Sequence, residues 1–375
     1  MMEHFASELA HILTAYSSPV QPGEMVTITG NVETAGPLIE ALVSAVLARG
    51  GFPNVQSAAP ISPDYTPYFE LLMREASEAQ LDHLDSTLMH WVNASDALFF
   101  VKAPANTKAL SSVDPSRLAR YRRTIQPFGE TYLDRYAQGD LRWTVCAWPT
   151  QALAQTAEMG LRGYREFVYA ACGLDQPDPV AYWEGFRAMQ DRLVEWLKGK
   201  SHVEVRGPGI DLSFEYDGRP WINCDGRLNF PDGEIFTSPV EDSVNGAVAF
   251  NYPSVYQGYE VDGVRLRFEN GRAVEATAAK NEPFLLSQID LDAGGRVLGE
   301  FAVGTNRGVT RFTRNTLFDE KIGGTIHMAL GRSYAESHGK NESAIHWDMI
   351  HGLQDGGEIW VEGELFYRAG EFMVK

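Results

Sequence analysis

Residues 25–56 read MVTITGNVETAGPLIEALVSAVLARGGFPNVQ, and the architecture of the first half follows from them. Met25–Thr29 is a short β-branched run ended by Gly30-Asn31. Apolar residues then recur at helical spacing over 35–49, and Gly50-Gly51 closes that helix before a second short strand near 53–57. Working outward, an amphipathic helix is expected over 3–16 and another near 66–81. A strand follows at 97–102 (ALFFVK), then a basic helix around 114–124 and a strand at 141–147 (LRWTVCA). Strands alternating with helices of this length predict a mostly parallel sheet with helices on its faces. The Gly30-Asn31 turn lacks the GxGxxG spacing that brings a backbone onto a pyrophosphate, so it reads as a plain strand-to-helix turn and not a nucleotide site.

The pattern changes near residue 200. A long helix (178–198) leads into HVEVRGPGIDLSFEYDGRPWINCDG, residues 202–226, where strand-type alternation is broken by Gly, Pro and Asp turns. Glycine-rich β segments continue to the end, with helical stretches expected near 281–290 and 319–334 and a closing pair of strands turned at Arg368, Ala369 and Gly370. The expectation is an α/β domain over 1–200 and an α+β domain over 201–375.

Of 375 residues, 44% are hydrophobic and 22% charged, enough to build real cores. Fifty acidic residues against 32 basic ones leave a net charge of −18, which disfavours nucleic acid and anionic membranes and favours cations. Cys146, Cys172 and Cys224 are sparse, widely separated and free of CxxC spacing, so they read as free thiols of a reducing compartment. The opening MMEHFASELAHIL has no basic n-region or unbroken apolar run, and no stretch is long and apolar enough to span a bilayer. A cytoplasmic protein is expected. Arg117, Arg120, Arg122 and Arg123 read as a solvated helical face.

Four of nine histidines fall within 327–351: His327, His338, His346 and His351. In an extended His346-Trp347-Asp348 the imidazole and the carboxylate project to one side of the strand and Trp347 to the other. Around it stand PDGEIF (231–236), GEFAVGTN (299–306), DEKIGG (319–324) and IHMALG (326–331), read as glycine-flanked turns that fix their carboxylates and histidine. Two histidines with several carboxylates make a mixed nitrogen–oxygen site suited to zinc, cobalt or manganese. The set is too large for one tetrahedral ion and sufficient for two, which points to metal-assisted hydrolysis. Alone, Glu234 would be a solvated turn residue and Tyr334 a core aromatic with its hydroxyl at the surface. His338 reads as loop surface, and His351 as a hydrogen-bonded or core histidine.

The run from Pro231 to Asp348 resembles the aminopeptidase T-type metallopeptidases, the thermophilic metalloprotease family. Its P-x-G-E-[IV]-F, G-E-x-x-x-G-x-N, E…H-x-A-[LI]-G-x-x-Y and H-W-D segments occur here in order as PDGEIF, GEFAVGTN, Glu320 with HMALGRSY, and His346-Trp347-Asp348. The resemblance implies that Glu234, Glu300, His327, His346 and Asp348 ligate two ions, with Glu300 bridging. It makes Glu320 either a further ligand or the general base. Some members space this Glu and His five residues apart; here Glu320 and His327 are seven apart, around Gly323-Gly324. Tyr334, placed two helical turns beyond His327, would steady an oxyanion. The implied activity is removal of N-terminal residues from peptides with a free N-terminus, by a homodimer whose first half restricts entry to the site. The alternatives are a two-metal hydrolase of a non-peptide amide or modified small molecule, and a non-catalytic binding protein with a vestigial metal site.

Overall fold

The computed structural model describes residues 2–57 and 67–374, so residue 66, where the expected third helix begins, lies outside the described residues. The chain forms two compact units: Met1–Ala181 with Gly226–Pro231, and Tyr182–Asp225 with Asp232–Lys375.

The first unit is built on a five-stranded parallel sheet in the order Phe52–Gln56, Met25–Gly30, Ala97–Lys102, Arg142–Ala147, Asn229–Phe230. Ala97 to Val101 are buried without a break, as in a strand covered on both faces. The expected helices are present as Met2–Ile12, Val32–Ala48, Pro67–Glu75 with Glu78–Leu81, and Pro115–Thr124. Asn31 caps the second of these by accepting from Glu33 N at 3.0 Å. A Cβ on Gly30 would lie 3.0 Å from Val101 Cβ, so close strand packing accounts for this glycine. In the basic helix, Arg117 donates to the Met73 and Ala76 carbonyls, and Arg120 pairs with Glu78 and Asp82. Helices Ser86–Ala94, Gln126–Ala137, Gln151–Thr156 and Leu161–Ala171 add to those read from the sequence.

The second unit begins on the long helix Pro179–Leu197 and contains two large antiparallel sheets besides the antiparallel pair Ser254–Tyr256 and Tyr259–Val261. One has eight strands; the other has five, in the order His346–Gly352, Thr325–Gly331, Leu298–Gly304, Glu234–Thr237, Ile222–Cys224. Their apolar faces share one core, with Phe214 of the first sheet 4.8 Å from Phe301 of the second, centroid to centroid.

Three local expectations are corrected. Over 319–334 only the end of Thr316–Asp319 is helical, and Thr325–Gly331 is a strand. Ile322, Ile326 and Leu330 sit at helical spacing, but Ile326, Met328 and Leu330 also satisfy the strand period; Gly324, at φ +92°, and β-branched Thr325 and Ile326 favour the strand. The C-terminal segment forms three strands, Glu358–Val361, Glu364–Arg368 and Glu371–Phe372. The extra turn is at Glu362-Gly363, both at positive φ, the backbone of a tight hairpin. Finally, Glu300 and His327 lie within strands, not in glycine-flanked turns.

Candidate metal centre

Period two explains how this sheet gathers its polar groups. Ile235, Phe301, Val303, Ile326, Met328, Leu330, Trp347 and Met349 all enter the shared core. Their alternates Glu234, Glu300, His327, His346 and Asp348 therefore face the other way. Leu298 also enters the core, although Glu300 is only two residues on. A register shift between them supplies the extra residue, and that one-residue slip turns Glu300 to the opposite face. Gly299 sits at the shift, where a Cβ would lie 2.3 Å from Gly331 O. Two alanines occupy the crossing points. Ala302 lies opposite both His327 and Phe236, and Ala329 opposite both Glu300 and Asp348, so methyl groups leave room among the larger side chains.

Asn306 joins the pieces. Its side-chain amide donates to Asp232 O at 2.8 Å, its backbone N–H to Lys321 O at 3.0 Å, and its carbonyl accepts from Gly323 N. Gly233, at φ +130°, leads into Glu234, and a Cβ there would meet Asn306 Cβ at 2.6 Å.

The donor atoms of Glu234, Glu300 and His327 all lie within 4.8 Å of one another, and so do those of Glu300, His346 and Asp348. Glu300 belongs to both groups. Its Oε1 is 3.6 Å from His327 Nε2 and its Oε2 3.1 Å from His346 Nε2. His327 Nε2 is also 3.5 Å from Glu234 Oε2, and His346 Nε2 is 3.5 Å from Asp348 Oδ1. His346 Nδ1–H donates to Arg332 O at 2.7 Å, which leaves Nε2 turned to the carboxylates. Glu320 lies outside both groups but within reach of the Asp348 carboxylate.

This environment calls for positive charge. Burial works against protonation of His346, yet Asp348 and Glu300 push its pKa up to about 12; for His327 burial is likewise outweighed, by Glu234 and Glu300, giving about 9. Burial raises Glu300 and Asp348, but the two histidines more than reverse this and hold both below the usual carboxylate range. Glu320 is raised to about 8 by burial and by the charge of Asp348. Glu234 Oε2, His327 Nδ1 and Asp348 Oδ1 are buried without a hydrogen-bond partner. Orphaned carboxylate oxygens in so dry a place are costly, and divalent cations bound by these oxygens and imidazoles would satisfy them. The donor set fits such ions.

Tyr334 is not on a helix with His327. It lies beyond the strand, at the start of the short turn Ala335–Ser337, with its ring 4.7 Å from the His346 ring and 5.6 Å from Phe236. His351 is buried and bonded through Nδ1 to Ala249 O, away from these groups. Lys321 and Asp232 were not singled out from the sequence, yet both are about 1% exposed and adjoin Glu234. Asp-Glu-Lys beside two glycines has the look of a solvated turn, and nothing local in the sequence distinguishes it from one.

The profile of the thermophilic metalloprotease (M29) family matches residues 3–372. Aminopeptidase T of Thermus aquaticus is 31% identical over 293 residues, covering 69% of this chain and 70% of the relative. Aminopeptidase 2 of Geobacillus stearothermophilus is 26% identical over 376 residues, covering 90% and 89%. Among solved structures, AmpT from Thermus thermophilus superposes with a TM-score of 0.86 over the whole of both chains at 23% identity, a likeness of fold. With the profile running almost end to end and Glu234, Glu300, His327, His346 and Asp348 of the ordered motifs gathered on one face of one sheet, the chain belongs to the thermophilic metalloprotease family.

Proposed function

We propose that this metallopeptidase is an aminopeptidase that works with two divalent ions, held by Glu234, Glu300, His327, His346 and Asp348. The observation that carries the reading is Glu300, whose two oxygens turn to two different histidines as a bridging carboxylate would. Charge supports bound cations: Asp232, Glu234, Glu300, Glu320 and Asp348 bring five carboxyl groups together around the ammonium of Lys321 and the two imidazoles, and divalent ions would offset their negative charge. When bound, such ions acidify a water and polarise the scissile carbonyl. Zinc, cobalt and manganese all suit the donors.

The protein groups then do the rest. His346 is held in one orientation by Arg332 O. Glu320, outside the two close groups and against Asp348, is the carboxylate we assign to take the proton from the attacking water and return it to the leaving amine. The Tyr334 ring, 45% exposed beside His346, is where its hydroxyl can meet the developing oxyanion. A free α-amino group is a cation, and an acidic site favours it. All seven residues lie in the second compact unit, to which we assign catalysis. We further read the chain as a cytoplasmic homodimer; three cysteines held as thiols agree with a reducing compartment. Among the described residues no helix is long and apolar enough to cross a membrane.

The test is a panel of aminoacyl-p-nitroanilides with their N-acetylated counterparts, run on metal-loaded enzyme. Free-amine substrates should turn over and blocked ones should not. Equal turnover of both would replace the aminopeptidase with a broader amide hydrolase, and no turnover with no bound metal would leave a binding protein.

A further inference from the structure

Beside the two groups that share Glu300 there is a third, Cys224, Asp232 and Glu234, whose donor atoms also lie within 4.8 Å of one another. It differs in holding a lysine ammonium in place of an imidazole. Lys321 Nζ is 2.5 Å from Glu234 Oε1, 3.6 Å from Asp232 Oδ1 and 3.3 Å from Glu320 Oε2, and the side chain is 1% exposed. An ammonium has three N–H donors, and three carboxylates surround this one. The lysine backbone is tied at both ends, its N–H to Phe318 O and its carbonyl to Asn306 N, each at 3.0 Å. The ammonium is therefore kept out of water by the same strand ends that bring Glu234 to the histidines. Glu234 is divided by it: Oε1 faces the lysine, while Oε2 has no hydrogen-bond partner and faces His327.

We propose that Lys321 is the resident cation of this third group, a positioning residue that takes the place of a further divalent ion, limits Glu234 to ligation through Oε2, and sets the metal number at two. The inference rests on the two-metal reading above. It makes Lys321 part of the charge balance of the centre, and it explains how a thiol and two carboxylates can lie together beside a metal site without competing for its ions.

The experiment is reconstitution of the demetallated full-length chain with cobalt(II), followed by metal counting and near-ultraviolet absorption, where a thiolate ligand gives a sulfur-to-cobalt charge-transfer band. Wild type should hold two ions without that band, even in excess cobalt. K321M should hold three and show the band, and the band should vanish in the K321M/C224S pair. K321Q, which keeps hydrogen-bond donors but no charge, reads the same way if the methionine variant does not fold. A K321M or K321Q chain with two ions and no thiolate band, or a wild type that shows the band, would overturn the proposal. A wild type holding fewer than two ions would instead bring down the two-metal reading.

Discussion

The five-stranded parallel sheet of the first unit and the five-stranded antiparallel sheet of the second have the same number of strands and opposite habits of burial. In the first, Ala97–Val101 is apolar and buried throughout, and the polar side chains that do appear include hydroxyls paired with each other, as Thr27 is with Ser95 and Thr144 with Ser18. In the second, the four strands Glu234–Thr237, Leu298–Gly304, Thr325–Gly331 and His346–Gly352 give one face to the core and the other to carboxylates and histidines. Helices on both faces of a parallel sheet demand continuous apolar strands, whereas an antiparallel sheet can dedicate a face to chemistry. The second arrangement costs burial of Glu234, Glu300 and His327 at 5%, 3% and 1% exposure, which is tolerable only with cations to match.

The comparison breaks most severely if the polar face loses its centre. E300A removes the shared carboxylate, so both ion positions should empty and turnover should fall to background, while circular dichroism shows the fold kept. Metal analysis of the variant checks this, and two retained ions would show that Glu300 does not bridge. E320Q should leave the ions bound and lower kcat roughly 10²–10⁴-fold if Glu320 is the base. A fall in metal content instead would make it a ligand.

Changes on the core face should act on stability alone. F301A, between Trp221 and Phe214, should cost about 3–5 kcal/mol in denaturant unfolding, and F99A in the parallel sheet a similar amount. Chains that remain folded should keep their metal count in both cases. Added divalent metal should raise the melting temperature of wild type and not that of E300A, by an amount equivalent to about 4 kcal/mol at a thousandfold excess over Kd.

The smallest expected effect lies on the eight-stranded sheet. Partial burial opposes protonation of His202, but Glu215, at 2.6 Å, and Glu204 outweigh it and raise its pKa above the ordinary 6.5. Its stabilising contribution is therefore complete below the unfolded value and lost as pH rises through the folded one. The pair is partly exposed, so E215Q should cost only a few tenths of a kcal/mol at about pH 5.5 and nothing at about pH 9. A penalty that persists at high pH would assign it to packing.

Much of this was legible in the chain. His346-Trp347-Asp348 alternates visibly, because a strand period of two is a local property, whereas the glycines beside Glu234 and Glu300 suggest turns where the chain forms strands. The bulge at Gly299 was not legible, although without it Leu298 and Glu300 would share a face. Nor was the strand after Gly324, where helical and extended spacing of the same isoleucines and leucine compete and pairing with both neighbouring strands decides.

The residues by themselves determined which groups were candidates for binding metal, their order, and, at His346-Trp347-Asp348, the side of the strand they share, since composition and alternation need no partner; the faces of Glu300 and His327 depended on the bulge and on strand pairing. Tertiary structure alone decided that Ala302 and Ala329 stand where strands cross, and that Lys321 is enclosed among Asp232, Glu234 and Glu320. Such placements depend on register and on segments nearly ninety residues apart in the chain meeting in space, and no local pattern encodes a distance of that kind.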